Sequence, residues 1–171
     1  MASGRRPIAR VETHAPRPTR RTRRTILNDT QLRVFIYEFI FARGRPPKAA
    51  DIAEHFAISA DETKRRLHAL KIGKTLLVDD ATGEIWMAGP FASQPVGHEV
   101  RGARVTWWAN CAWDALAIGI LAAEQVTIRS SNCGTGRAIT IVSPPQSPPR
   151  SDALVHFTVP ARQWYDDIGF T

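Results

Sequence analysis

From Asn28 the chain alternates apolar and polar positions at helical spacing. Leu32, Phe35, Ile36, Phe39 and Ile40 recur every three or four residues, and Asn28 or Thr30 stands where an N-cap is needed. Gly44-Arg45-Pro46-Pro47 ends that helix, because a glycine followed by two prolines cannot carry it on. A second helix is expected over residues 48–57, with Ile52, Ala53 and Phe56 turned inward. A third starts at the Ser59-Ala60-Asp61-Glu62 cap and runs to about residue 72, with Leu67 and Leu70 as its apolar face. Residues 75–79 and 84–88 then alternate on either side of Asp80-Ala81-Thr82-Gly83 and predict a short hairpin. Three helices and a hairpin are the layout of a winged-helix module, here residues 28–90.

Beyond residue 90 the pattern changes. Residues 91–104, with Pro95, Gly97 and Gly102, form a connector with room for one short strand. Residues 107–121 are almost wholly apolar and read as a helix that ends near Ala123, with Asn110 as its N-cap and Cys111 in its first turn. Residues 125–130 and 138–143 alternate as strands around Ser131-Asn132-Cys133-Gly134-Thr135-Gly136, and the proline-rich residues 144–149 form an extended loop. Residues 153–159 alternate again as a strand, and Pro160 starts a short helix through Gln163, Trp164 and Tyr165. The expected class is α+β: a winged-helix-like helical module followed by a small mixed α/β domain over residues 91–171.

Charge changes the picture at one end only. The chain of 171 residues carries a net +7, and Met1 to Leu27 hold eight of the 23 basic residues against Glu12 alone, so this segment accounts for all of it. Fifteen basic and fifteen acidic residues remain for the rest. Residues 1–27 are therefore expected to be a disordered basic tail, rich in Arg, Pro and Thr with little to bury. Contact with nucleic acid is expected only through that tail, since residues 28–90 balance nine basic against nine acidic side chains and forgo most of the counterion-release term. No apolar run is long enough to span a bilayer, and the arginine-rich start lacks the core of a secretory signal. The expected compartment is the cytoplasm, with no membrane partner. Two cysteines, Cys111 and Cys133, are too few for a disulfide scaffold, and neither they nor the isolated histidines have zinc-site spacing. His98 is expected to be solvated.

The candidate chemistry lies in the apolar run. Cys111 and Asp114 are three residues apart, which on a helix puts a thiol and a carboxyl on one face. A first-turn thiol would have its pKa lowered by the helix dipole, whereas Asp114, beside Trp113 and Ala115, would be raised by desolvation. Such a pair can serve as nucleophile and acid/base. A lone cysteine in an apolar helix is usually a small buried hydrophobe. Asp114 resists that reading, because an ionisable group is seldom buried without a partner or a task.

Trp108-Ala109-Asn110-Cys111-Ala112-Trp113-Asp114-Ala115-Leu116, then Val126 through Gly136, Ile139 through Pro144 and a segment ending in Val159-Pro160, together resemble the organomercurial (alkylmercury) lyases. The likeness extends from about Asn28 onward. It implies a domain of the organomercurial-lyase type that breaks a carbon–mercury bond by protonation, giving a hydrocarbon and a mercuric ion. In that reading Cys111 takes the mercury of substrate and product, Asp114 delivers the proton, and Cys133 corresponds to a turn cysteine with a structural, packing role. No cofactor is implied. The partners implied are an organomercurial substrate and, for the mercuric ion, cytosolic thiols or a mercuric reductase, in mercury resistance and detoxification. The family uses a second reactive cysteine, which on this alignment falls immediately after Thr171. The chain is thus expected to be truncated, frameshifted, or recoded there as selenocysteine, with cleavage impaired. Ile168 to Thr171 read as the start of another strand. The competing class is a noncatalytic protein, either mercury-binding or a winged-helix DNA-binding regulator.

Overall fold

The computed structural model describes residues 27–166. The expected tail, apart from Leu27, and the strand expected at 168–171 lie outside the described residues. Three helices come first: α1 (Asp29–Arg43), α2 (Ala49–Phe56) and α3 (Ala60–Ile72). Asn28 caps α1 as expected. Its side chain accepts from the Gln31 N–H at 2.9 Å, while the Gln31 side chain accepts from the Asn28 N–H at 3.0 Å, a reciprocal capping box. Leu32, Ile36 and Ile40, one turn apart on α1, are buried, and Ile52 of α2 and Leu67 and Leu70 of α3 belong to the same apolar cluster. Burying these side chains stabilises the helices far more than their local propensities do.

Seven strands follow: β1 (Leu77–Val78), β2 (Ile85–Ala88), β3 (Phe91–Ala92), β4 (Glu99–Arg101), β5 (Thr106–Ala109), β6 (Val126–Ser131) and β7 (Ala138–Ser143). They form one antiparallel sheet in the order β1-β2-β3-β5-β4-β6-β7. The predicted hairpin is the β1–β2 edge of this sheet. Through Ala88↔Phe91 and Phe91↔Ala109 it is continuous with the strands of the second half, so hydrogen bonding runs across the expected boundary at residue 90. The fourth helix, α4 (Ala112–Leu121), packs across β4, β5 and β6 with Ala115, Ile118 and Gly119 buried.

Three expectations need correction. Residues 91–104 hold two strands, β3 and β4, rather than one. The apolar run of residues 107–121 is divided: its start is β5, in which Trp107 and Ala109 are buried and Trp108 is only half-buried, and the helix starts at Ala112. The Trp107 ring makes the difference, since it lies in the core and its Nε1–H donates to the Ile40 carbonyl at 3.1 Å. Residues 153–159 form no strand. Their alternation has no neighbour to bury against, and Leu154 is 94% exposed. The short helix after Pro160 is a single 3-10 turn, Ala161–Gln163.

Gly44 ends α1 in the left-handed region, at φ 70°, with its N–H donating to the Ile40 carbonyl at 2.8 Å. A Cβ there would run into the carbonyl oxygen of Thr106, where β5 begins. Gly44→Ala therefore combines left-handed strain with a backbone clash, and it is expected to destabilise the fold by about 2 kcal/mol or more. A lowered urea midpoint with unchanged slope checks it.

Candidate active site

β5 delivers the chain to the site. Its last residue, Ala109, donates to the His98 carbonyl at 2.9 Å, and the next N–H, that of Asn110, reaches the Pro90 carbonyl at 3.2 Å. Cys111, not Asn110, is the N-cap of α4. It is extended at φ −149° and ψ 177°, and its sulfur accepts the Asp114 N–H at 3.4 Å. The thiol thus takes the place of the usual capping hydroxyl or carboxylate. Cys111 and Asp114 thus meet at the helix N-terminus, with Cys111 at the cap rather than in the first turn.

Both groups are half-buried. Burial pushes the Asp114 carboxyl above the ordinary carboxylate range, against hydrogen bonds from the side chains of Asn110 and Cys111 that favour the charged form. The Cys111 thiol is also raised. Burial is the main cause and the neighbouring Asp114 charge adds to it, while the N–H groups of Asp114 and Trp113 work the other way. The expected lowering by the helix dipole is therefore overturned at this position, because desolvation outweighs the helix terminus. Asn110, expected as the cap, has another role. Its amide instead bonds to Asp114, and its Oδ1 is buried with no hydrogen-bond partner.

The pair opens into a cleft of about 380 Å³ walled by four separate chain segments. The α3–β1 junction contributes Lys74 to Leu77, β2 and the turn after it contribute Met87 and Gly89, and the α4 start contributes Asn110, Cys111, Trp113 and Asp114. The fourth wall is Phe157, Trp164 and Tyr165, from the irregular segment that follows the sheet. The Tyr165 hydroxyl donates to the Lys74 carbonyl at 3.3 Å, and the Lys74 amine stands 4.6 Å over the Tyr165 ring. The three aromatic residues of this wall were missed in the sequence. The signal was there, as Phe157, Trp164 and Tyr165 within nine positions, but the alternation around Phe157 suggested a strand.

Cys133 lies elsewhere. It is exposed in the β6–β7 turn and lines no part of the cleft. The turn is held by Asn132, whose side-chain oxygen accepts from the N–H groups of Gly134 and Thr135 and from the Thr135 hydroxyl at 2.9–3.0 Å. A packing role for Cys133 has no buried surface behind it, since the tip of a two-stranded ribbon projects into solvent. His98, expected to be solvated, is half-buried with Nδ1 2.8 Å from the Ser130 hydroxyl, and burial lowers its pKa. Among the described residues no group of three His, Cys, Asp or Glu side chains could hold a metal ion. Nor is any described helix long and apolar enough to cross a membrane.

Fold and site together define an α plus antiparallel-sheet protein with a thiol–carboxyl pair at a helix N-terminus facing an aromatic cleft. Residues 91–170, which hold that pair, match the family model of the alkylmercury lyases (MerB). Among solved structures it is similar in fold to the mercury-bound form of MerB2, at 17% identity and a TM-score of 0.55, over 67% of this chain. The chain spans 54% of the length of that protein. No curated protein sequence matches it.

Proposed function

We propose that this protein is an organomercurial lyase in which Cys111 binds the mercury and Asp114 carries the proton. The observation that supports this most is the Cys111–Asp114 pair lining the cleft. A soft thiolate is the natural ligand for mercury, which a carboxylate alone would hold poorly. In the proposed sequence the Cys111 sulfur bonds to the mercury of R–Hg–X as X leaves with its electron pair, and the thiol proton passes to Asp114. The carboxyl then protonates the carbon, and the electron pair of the breaking carbon–mercury bond forms the new C–H bond. A carboxyl with a raised pKa suits both steps, because it holds the proton long enough to pass it on. The Asn110 amide favours the carboxylate left behind. Cys133 is given no part in the reaction. The mercuric ion left on Cys111 would pass to small thiols or a mercuric reductase in the cytoplasm.

The finer reading of residues 28–90 as a winged-helix-like module, and of residues 91–171 as the lyase domain, belongs to the same proposal. Its α3–β1 junction is one wall of the cleft, which supports a structural role. A DNA-binding role is disfavoured because cations of α3 are already engaged. Arg65 and Arg66 pair with Glu62 at 2.6 and 2.7 Å, and Lys71 pairs with Asp80.

The test is hydrocarbon release. The protein, supplied with phenyl- or methylmercury in excess small thiol, is expected to liberate benzene or methane in proportion to its concentration, measured in the headspace. Capture of mercury without any hydrocarbon would leave a binding protein as the better reading.

A further inference from the structure

The cleft carries more aromatic surface than holding a thiol and a carboxyl requires. Trp113 is 56% exposed, Phe157 41% and Tyr165 52%, yet the rings are gathered rather than scattered. Trp113 and Phe157 lie with centroids 6.4 Å apart, and Phe157 and Trp164 lie 5.2 Å apart. Trp113 comes from the first turn of α4, between the two reacting groups in sequence, whereas Phe157 and Trp164 come from the segment beyond the sheet. Two distant parts of the chain thus converge to place aromatic rings in the same cleft as Cys111. Clustered exposed aromatic surface of this kind marks a binding site more often than a stray surface residue.

Resting on the lyase reading, we infer that Trp113, Phe157 and Trp164 form a specificity wall for the organic group, and that the substrate class is arylmercurials rather than methylmercury. Size argues for it. A cleft of about 380 Å³ falls in the range that encloses small organic ligands, and a methyl group on mercury would leave most of it to water. Geometry argues for it as well, since aromatic rings gain from edge-to-face and offset contacts beyond their buried area. A phenyl ring on a mercury bound to Cys111 would share the cleft with such partners, whereas a methyl group has no ring to stack. Leu76 and Leu77, which also line the cleft, add apolar side chains to it.

The experiment is a competition. Full-length protein carrying Cys133→Ser, so that Cys111 is the sole thiol, is mixed with equal amounts of phenylmercury and methylmercury in excess small thiol. Both adducts are read by intact mass, and benzene and methane are read in the headspace so that turned-over adduct is also counted. Phenylmercury is expected to outcompete methylmercury by about tenfold or more, the factor that a single favourable aromatic contact supplies. Trp113→Leu and Phe157→Leu, both at exposed positions, are each expected to reduce that ratio several-fold. Equal capture of the two compounds, or a ratio unmoved by both substitutions, overturns the specificity wall and leaves the lyase reading standing. A folded protein that takes up neither compound overturns both.

Discussion

Cys111→Ser is expected to eliminate organomercurial capture while leaving the protein folded. Serine is among the best N-cap residues, and its hydroxyl can accept the Asp114 N–H that the sulfur now accepts. The substitution therefore keeps the start of α4 and removes only the soft ligand. Oxygen is a hard donor with little affinity for mercury in competition with a thiol in solution. The chain contains one other cysteine, Cys133, exposed in the β6–β7 turn, and it would also react with mercury. The comparison is thus made in excess small thiol, with Cys133→Ser as the control. That control is expected to keep a stoichiometric adduct by intact mass, Cys111→Ser is expected to fall to background, and both should unfold within a few degrees of the parent. Retained capture in Cys111→Ser, or loss of capture in Cys133→Ser alone, would move the mercury site to the turn.

How far the pattern of residues reached can be seen at these same positions. The helices before residue 73 were legible because their signals are local: a capping box at Asn28 and Gln31, a glycine stop at Gly44, and one buried stripe on α1. The β6–β7 ribbon was legible through its alternation. The split of residues 107–121 was not, because an unbroken apolar run suits a buried strand as well as a buried helix, and the choice is made by what Trp107 meets on α1. The site divides along the same line. Cys111 and Asp114 could be paired from spacing alone, but the direction of the thiol's pKa shift could not, since it depends on burial created by segments far away in sequence. Phe157, Trp164 and Tyr165 reach the cleft through an irregular segment, which has no period to read.

Asp114→Asn is expected to separate capture from cleavage. Asparagine keeps the size and hydrogen-bonding reach of the carboxyl but cannot carry a proton between Cys111 and carbon. The adduct on Cys111 should therefore form, and intact mass should show the organic group still attached to mercury, where the parent protein shows mercury without it. Loss of a positioned proton carrier is expected to slow hydrocarbon release by about a hundredfold or more. The same substitution has a stability signature. The Asp114 carboxyl is raised by burial, so the folded state favours its protonated form. That contribution is fully present below the ordinary carboxylate range and is lost as pH rises through the higher folded value, where a buried charge must be maintained. Asparagine has no charge to bury. Asp114→Asn is thus expected to unfold at a higher temperature than the parent at neutral pH, with the gap closing as pH falls below the ordinary carboxylate range. A variant that loses adduct formation together with hydrocarbon release, or whose stability gap widens toward acid, would show that Asp114 serves the fold rather than the proton.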